Sequence, residues 1–165
     1  PDDIESLEGT LAGLPPRNRP LGLVAKIEQP EALANLPALI AVAFRQRRPF
    51  GVMTARGDLA AEIGFERLAE MQEEILWLCE AASVPTIWAT QVLEDLVKTG
   101  IPTRGEMTDA AMAARAECVM LNKGAAVAEA VNVLDHLMSR MDEHMTKKTP
   151  TLRALKSWTY PVPAV

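Results

Sequence analysis

The sequence predicts an α/β protein made of four consecutive βα units, the content of half a (β/α)8 barrel. Three observations carry that expectation. Short apolar runs alternate four times with segments whose apolar residues recur at helical spacing, as in a parallel sheet with crossover helices. Polar residues (Lys26 with Glu28, Asp58, Thr90 and Asn122) fall at the C-terminal ends of those runs, where barrel enzymes keep their chemistry. No glycine-rich loop follows the first run, where an open nucleotide-binding sheet would place one.

Taken in order, Asp2 to Leu14 reads as a helix, with Ile4, Leu7, Leu11 and Leu14 in register before a proline pair. Leu21 to Ile27 is the first strand. Pro30 and Pro37 each suit the first turn of a helix, where the missing N–H is harmless. Phe50 to Ala55 is the second strand. Glu66 to Ala82 follows as an amphipathic helix with Leu68, Met71, Ile75, Leu78, Cys79 and Ala82 along one stripe. Its Glu70–Glu74 stretch reads as a solvated face. Pro85 to Ala89 is the third strand and Gln91 to Lys98 a short helix. Thr103 and Glu106 have capping-box spacing for the helix after them. Cys118 to Leu121 is the fourth strand, and Ala125 to Met145 the last long helix. Residues 1–148 are thus expected to form one barrel-half domain. Residues 149–165 form a tail with Leu152, Leu155 and Trp158 on one possible helical face.

Composition bounds the function. A net charge of −5 argues against a nucleic-acid or anionic-membrane partner, either of which needs a basic face. The longest uncharged stretch, Ala32 to Phe44, is too short to span a bilayer. No signal-peptide pattern opens the chain, and Cys79 and Cys118 sit inside apolar patterns, so reduced core thiols in a cytoplasmic protein are expected. The first residue is Pro1 rather than methionine, which suggests processing or a place within a longer polypeptide.

Lys26 and Glu28 are two apart, so on a strand they share a side. Asp58 can bring a second carboxylate from the neighbouring strand end. Two hard oxygen ligands beside a fixed ammonium suit a divalent metal together with a phosphate or an enolate. The bland alternatives are a strand-end ion pair at Lys26 and Glu28, an ordinary strand-terminal threonine at Thr90, and a surface salt bridge at Arg56.

Leu23-Val-Ala-Lys-Ile-Glu28, Val52-Met-Thr-Ala-Arg-Gly-Asp-Leu59, Ala89-Thr-Gln-Val-Leu-Glu94 and Pro102-Thr-Arg-Gly-Glu106 stand in the order and spacing of the pyruvate kinase family. The chain resembles that family from Asp2 to about Val133, its four strands corresponding to the fifth to eighth of a TIM-type (β/α)8 barrel. The resemblance implies metal-dependent phosphoryl transfer from phosphoenolpyruvate to ADP, giving pyruvate and ATP. It implies Glu28 and Asp58 as ligands of Mg2+ (or Mn2+), and Lys26 as the residue that stabilises the moving phosphoryl group and the enolate. Ala55, Gly57 and Asp58 would hold the substrate carboxylate, and Thr90 would sit near the methylene carbon that gains a proton. Arg56 and Arg104 match positions used at subunit contacts. The ligands for K+ and the phosphate-gripping arginines belong to the family's first strands, outside this chain.

The chain departs from the family after the fourth strand, where Asn122-Lys123-Gly124-Ala125 replaces Ser-Gly-Glu-Thr; Thr54 also replaces a valine. Two other readings stay open. One is an aldolase or lyase acting through a metal-stabilised pyruvate enolate. The other is a non-catalytic half-barrel module. Four strands cannot close a barrel, so self-association or pairing with the missing half is expected, and little turnover from this chain alone.

Overall fold

The computed structural model describes residues 1–15, 18–19 and 21–145. The tail expected over 149–165 lies outside them. A parallel sheet of strands β1 (Leu23–Ile27), β2 (Phe50–Ala55), β3 (Thr86–Ala89) and β4 (Cys118–Val119) runs in spatial order β1-β2-β3-β4. This order excludes a doubly wound sheet, whose strand order must reverse. Consecutive parallel neighbours joined by crossovers of one hand put every helix on one face of the sheet.

Burial follows that geometry. Pairing sets Ile27, Thr54, Trp88 and Val119 in one row across the sheet, and Lys26, Met53, Ile87 and Cys118 in the next. Side chains of adjacent rows point to opposite faces. The first row meets the helices: Ile27, Thr54 and Trp88 are almost fully buried. The second row faces what would be the barrel interior, where Val24 (on the same side) is 52% exposed and Cys118 is exposed. Cys118 is therefore not the core thiol expected from its apolar neighbours. Cys79, on the helix face, is one.

Helix α1 (Asp2–Ala12) buries no side chain of its own; Glu8 anchors it through a two-pronged ion pair with Arg48, whose third nitrogen donates to the Leu21 carbonyl at 2.6 Å. Helices α2 (Pro30–Ala34) and α3 (Leu36–Arg45) begin with Pro30 and Pro37 in their first turns, as expected. Leu33, Leu36 and Ile40 pack with Ile27, Val52, Leu59, Met71 and Ile75 into one core cluster. After β2 the chain turns directly into a short helix, α4 (Arg56–Ile63), ended by Gly64. The φ of +84° at Gly64 is open to glycine at little cost, and it re-aims the chain into α5 (Phe65–Ala81).

Glu74 on α5 is fully buried, which corrects the expectation of a solvated 70–74 face. The cause is packing on two sides, since its neighbours Ile75 and Leu76 belong to different core clusters. The second cluster gathers Trp88, Val92, Leu93, Leu96 and Val97 with Ala110, Ala113 and Ala130. It draws on α6 (Glu94–Thr99), α7 (Arg104–Met112), a 3-10 turn (Ala113–Arg115) and α8 (Val127–Met145). The expected capping box is present: Thr103 Oγ1 accepts from Glu106 N, and the Glu106 carboxylate accepts from Thr103 N at 2.9 Å. The other oxygen of that carboxylate accepts from Asp95 N, tying α7 to α6. Among the described residues no helix is long and apolar enough to cross a membrane.

Candidate active site

The polar residues at the strand ends form two linked groups on one rim of the sheet. The first is a triad. Lys26, inward-facing on β1, pairs through Nζ with Glu28 just beyond the strand and with Asp58 Oδ2 at 3.2 Å, in the first turn of α4. Both carboxylates touch one nitrogen, so their oxygens stand no further apart than two hydrogen bonds end to end. All three side chains are open to solvent, with exposures of 49%, 37% and 64%. The Lys26 ammonium is held above its ordinary pKa, first by hydrogen bonding to Glu28 and then to Asp58. One ammonium against two carboxylates leaves a net negative charge.

That donor set suits Mg2+ or Mn2+. A small hard cation takes one or two protein carboxylates and completes its shell with water and substrate oxygens. Among the described residues no group of three or more histidine, cysteine, aspartate or glutamate side chains gathers into a metal cage.

The second group lies on the end of β3 and the start of α4. Gly57 N donates to Thr90 Oγ1 at 2.9 Å. The N–H expected to meet a substrate carboxylate is thus spent on Thr90, whose hydroxyl keeps its own proton to give. Thr90 has φ +66°, a left-handed conformation that is a true outlier for a β-branched residue. Gln91 (+56°) and Leu93 (+49°) continue it, which delays the helix expected from Gln91 until Glu94. Ala55 is fully buried at the end of β2.

Arg56 does not occupy the surface position expected of a salt-bridge residue. It is 7% exposed and its guanidinium is engaged inside this chain, by the Ala89 and Thr90 carbonyls and by Asp109. Arg104 is exposed at the first position of α7. Asp109 escaped the reading of the sequence; its hint was an acid set beside the alanines of α7. Asn122 adds a hydrogen bond to Glu94, whose carboxyl is held below its usual range chiefly by Lys98, at 2.6 Å. Lys123 is exposed.

A model of the pyruvate kinase barrel domain matches residues 10–131. A pyruvate kinase of Agrobacterium vitis is 38% identical over 129 residues, 74% of this chain and 26% of that protein. Plastidial pyruvate kinase 3 of Arabidopsis thaliana is 34% identical over 139 residues, 81% and 23% respectively. A crystal structure of a pyruvate kinase from Cryptosporidium parvum superposes with a TM-score of 0.73 at 28% identity, covering 93% of this chain and 34% of the other. The chain spans about a quarter of the length of the curated relatives it matches.

Proposed function

The chain belongs to the pyruvate kinase family, and from that premise we propose that residues 1–148 are the half of a catalytic barrel that holds the metal, the enolate and the proton-delivering threonine. The reaction is phosphoryl transfer from phosphoenolpyruvate to ADP, followed by protonation of the enolate to pyruvate. The observation that carries this reading is the meeting of Lys26, Glu28 and Asp58 at one point from two separate strand ends.

In this reading Glu28 and Asp58 hold Mg2+ or Mn2+, which when bound supplies positive charge beside the phosphoryl and enolate oxygens. Lys26 spreads the charge that develops as the phosphoryl group moves, the electrostatic term that dominates such transfers. It stays protonated throughout the neutral range, so it serves as a fixed cation. The start of α4, at the positive end of its dipole, receives the substrate carboxylate beside the Thr90 hydroxyl that already takes the Gly57 N–H. Thr90 relays a proton towards the methylene carbon, its hydroxyl taking one from solvent water as it gives its own. The phosphate grip and a K+ site belong to the family's other four strands, so this chain alone should turn over little substrate.

The test is ATP formation from phosphoenolpyruvate and ADP, measured on this chain alone and after joining it to the first four barrel strands of a pyruvate kinase. Mg2+-dependent ATP formation by the joined barrel, lost on Lys26→Met with KM little changed, is expected. Pyruvate release from a hydroxy-keto acid without ATP formation would instead make it a lyase. A joined, folded barrel inert in both assays would leave only a module.

A further inference from the structure

Thr90 carries the mark of a residue held in place from outside. A left-handed β-branched residue stores on the order of 1–3 kcal/mol of strain, which persists only when its surroundings over-determine it. Here the carbonyls on either side of that residue's φ and ψ are both taken by one side chain. Arg56 Nε donates to the Ala89 carbonyl at 2.9 Å, and a terminal nitrogen of the same guanidinium donates to the Thr90 carbonyl. The other terminal nitrogen is ion-paired with Asp109 on α7. The guanidinium plane rests over the Trp88 ring, 4.8 Å from its centroid, and that ring is 1% exposed. Arg56 is thus clamped by an acid, an aromatic floor and two carbonyls.

The next residue along α4 completes the device. Gly57 N donates to the Thr90 hydroxyl. One helix start therefore fixes Thr90 twice, its backbone through Arg56 and its side chain through Gly57. We infer that Arg56, locked by Asp109, is a positioning residue that sets the Thr90 hydroxyl for proton delivery. The clamp stands on geometry alone; what Thr90 does with its proton rests on the function proposed above.

The test uses Arg56→Lys and Asp109→Asn in the full chain, with folding checked by circular dichroism and thermal melting. A lysine has one nitrogen and cannot span two carbonyls and a carboxylate at once. Amide hydrogen exchange at Gly57 is read by NMR against amides of β1 and α5. Oxalate, a planar dianion of enolate shape, is titrated in the presence of Mg2+. In Arg56→Lys, Gly57 should exchange about tenfold faster and oxalate should bind about tenfold more weakly, while the reference amides hold and Mn2+ affinity stays within about twofold. Asp109→Asn should move both readings the same way, by about threefold.

Unchanged Gly57 exchange in a folded Arg56→Lys chain would overturn the clamp. Fast Gly57 exchange with full oxalate affinity would overturn its role in the site. If the lysine variant does not fold, the asparagine variant decides by the same readings. Failure of the unsubstituted chain to bind oxalate would count against the proposed function, and the Gly57 exchange would still judge the clamp.

Discussion

Lys26 Nζ lies 3.2 Å from Asp58 Oδ2, although thirty-two residues separate them in the chain. The contact joins the end of β1 to the first turn of α4, and it places the Glu28 and Asp58 carboxylates on a single cation. Its geometry requires that β1 and β2 be parallel neighbours with Lys26 on the face away from the helices, which the pairing of Lys26 with Met53 provides.

The triad should bind Mn2+ through its carboxylates. Glu28→Gln or Asp58→Asn is expected to weaken Mn2+ binding by at least about tenfold, since even outer-shell partners of a metal carry roughly that much. Electron paramagnetic resonance titration of free Mn2+ reads this directly. Equal affinity in the unsubstituted chain and both variants would remove the metal from the site.

Lys26 should titrate above 10.5, because the hydrogen bonds it donates to Glu28 and Asp58 favour its charged form. With the folded pKa raised, the interaction favours the native state fully below 10.5 and fades as pH rises through the folded value. NMR of the Lys26 side chain should show a high midpoint that falls in Glu28→Gln. A midpoint that ignores the substitution would mean the ion pair is not formed in solution.

Thr54 should be better as valine. Its Oγ1 is buried between Ile27 and Trp88 and lacks a hydrogen-bond partner among the described residues. Removing an unsatisfied buried hydroxyl while keeping the shape should gain about 1 kcal/mol. In a protein of this size that is a rise of about 2–4 °C in melting temperature. A lower melting temperature would show that the hydroxyl has a partner.

Gly124 should tolerate no side chain. A Cβ there would stand 2.4 Å from the Val97 carbonyl oxygen and 2.5 Å from its Cγ1, and Ala126 N already donates to that same carbonyl at 3.0 Å. Gly124→Ala is expected to destabilise by about 3 kcal/mol, since backbone rather than a flexible tip must move. Denaturant unfolding measures it, and a loss below about 0.5 kcal/mol, the usual size of a neutral surface change, would refute the close approach.

The two cysteines should react very differently. Burial, with Glu117 adding to it, pushes the Cys79 thiol up to about 12, whereas Cys118 is exposed on the inner sheet face. A thiol reagent should label Cys118 quickly and Cys79 only on unfolding. If copies of the chain cover that face by pairing, Cys118 labelling should slow as concentration rises, in step with sedimentation. A monomer labelled at one rate throughout would exclude self-association.

Much of this was legible in the sequence because it depends on local pattern. Helical stripes, prolines in first turns, the Thr103–Glu106 box and the same-side placement of Lys26 and Glu28 follow from periods of 3.6 and 2. Asp58 could be nominated because polar residues at successive strand ends of a barrel converge. The misreadings of Cys118 and Glu74 had one source: local pattern does not say which face of an element is covered. Cys118 sits in an apolar run but on the inner face, and Glu74 sits in an acidic run but between two clusters.

The residues by themselves pointed to four βα units in barrel order and to Lys26, Glu28 and Asp58 as neighbours, since these rest on spacing along the chain. Four motifs in sequence carried the resemblance to the family. Only the tertiary structure decided that Arg56 turns inward onto Asp109, that Thr90 is bent into a left-handed conformation, and that Gly57 spends its N–H on Thr90. Those contacts join residues more than thirty positions apart. They depend on the relative heights of β2, β3 and α7, which packing sets and no local periodicity encodes.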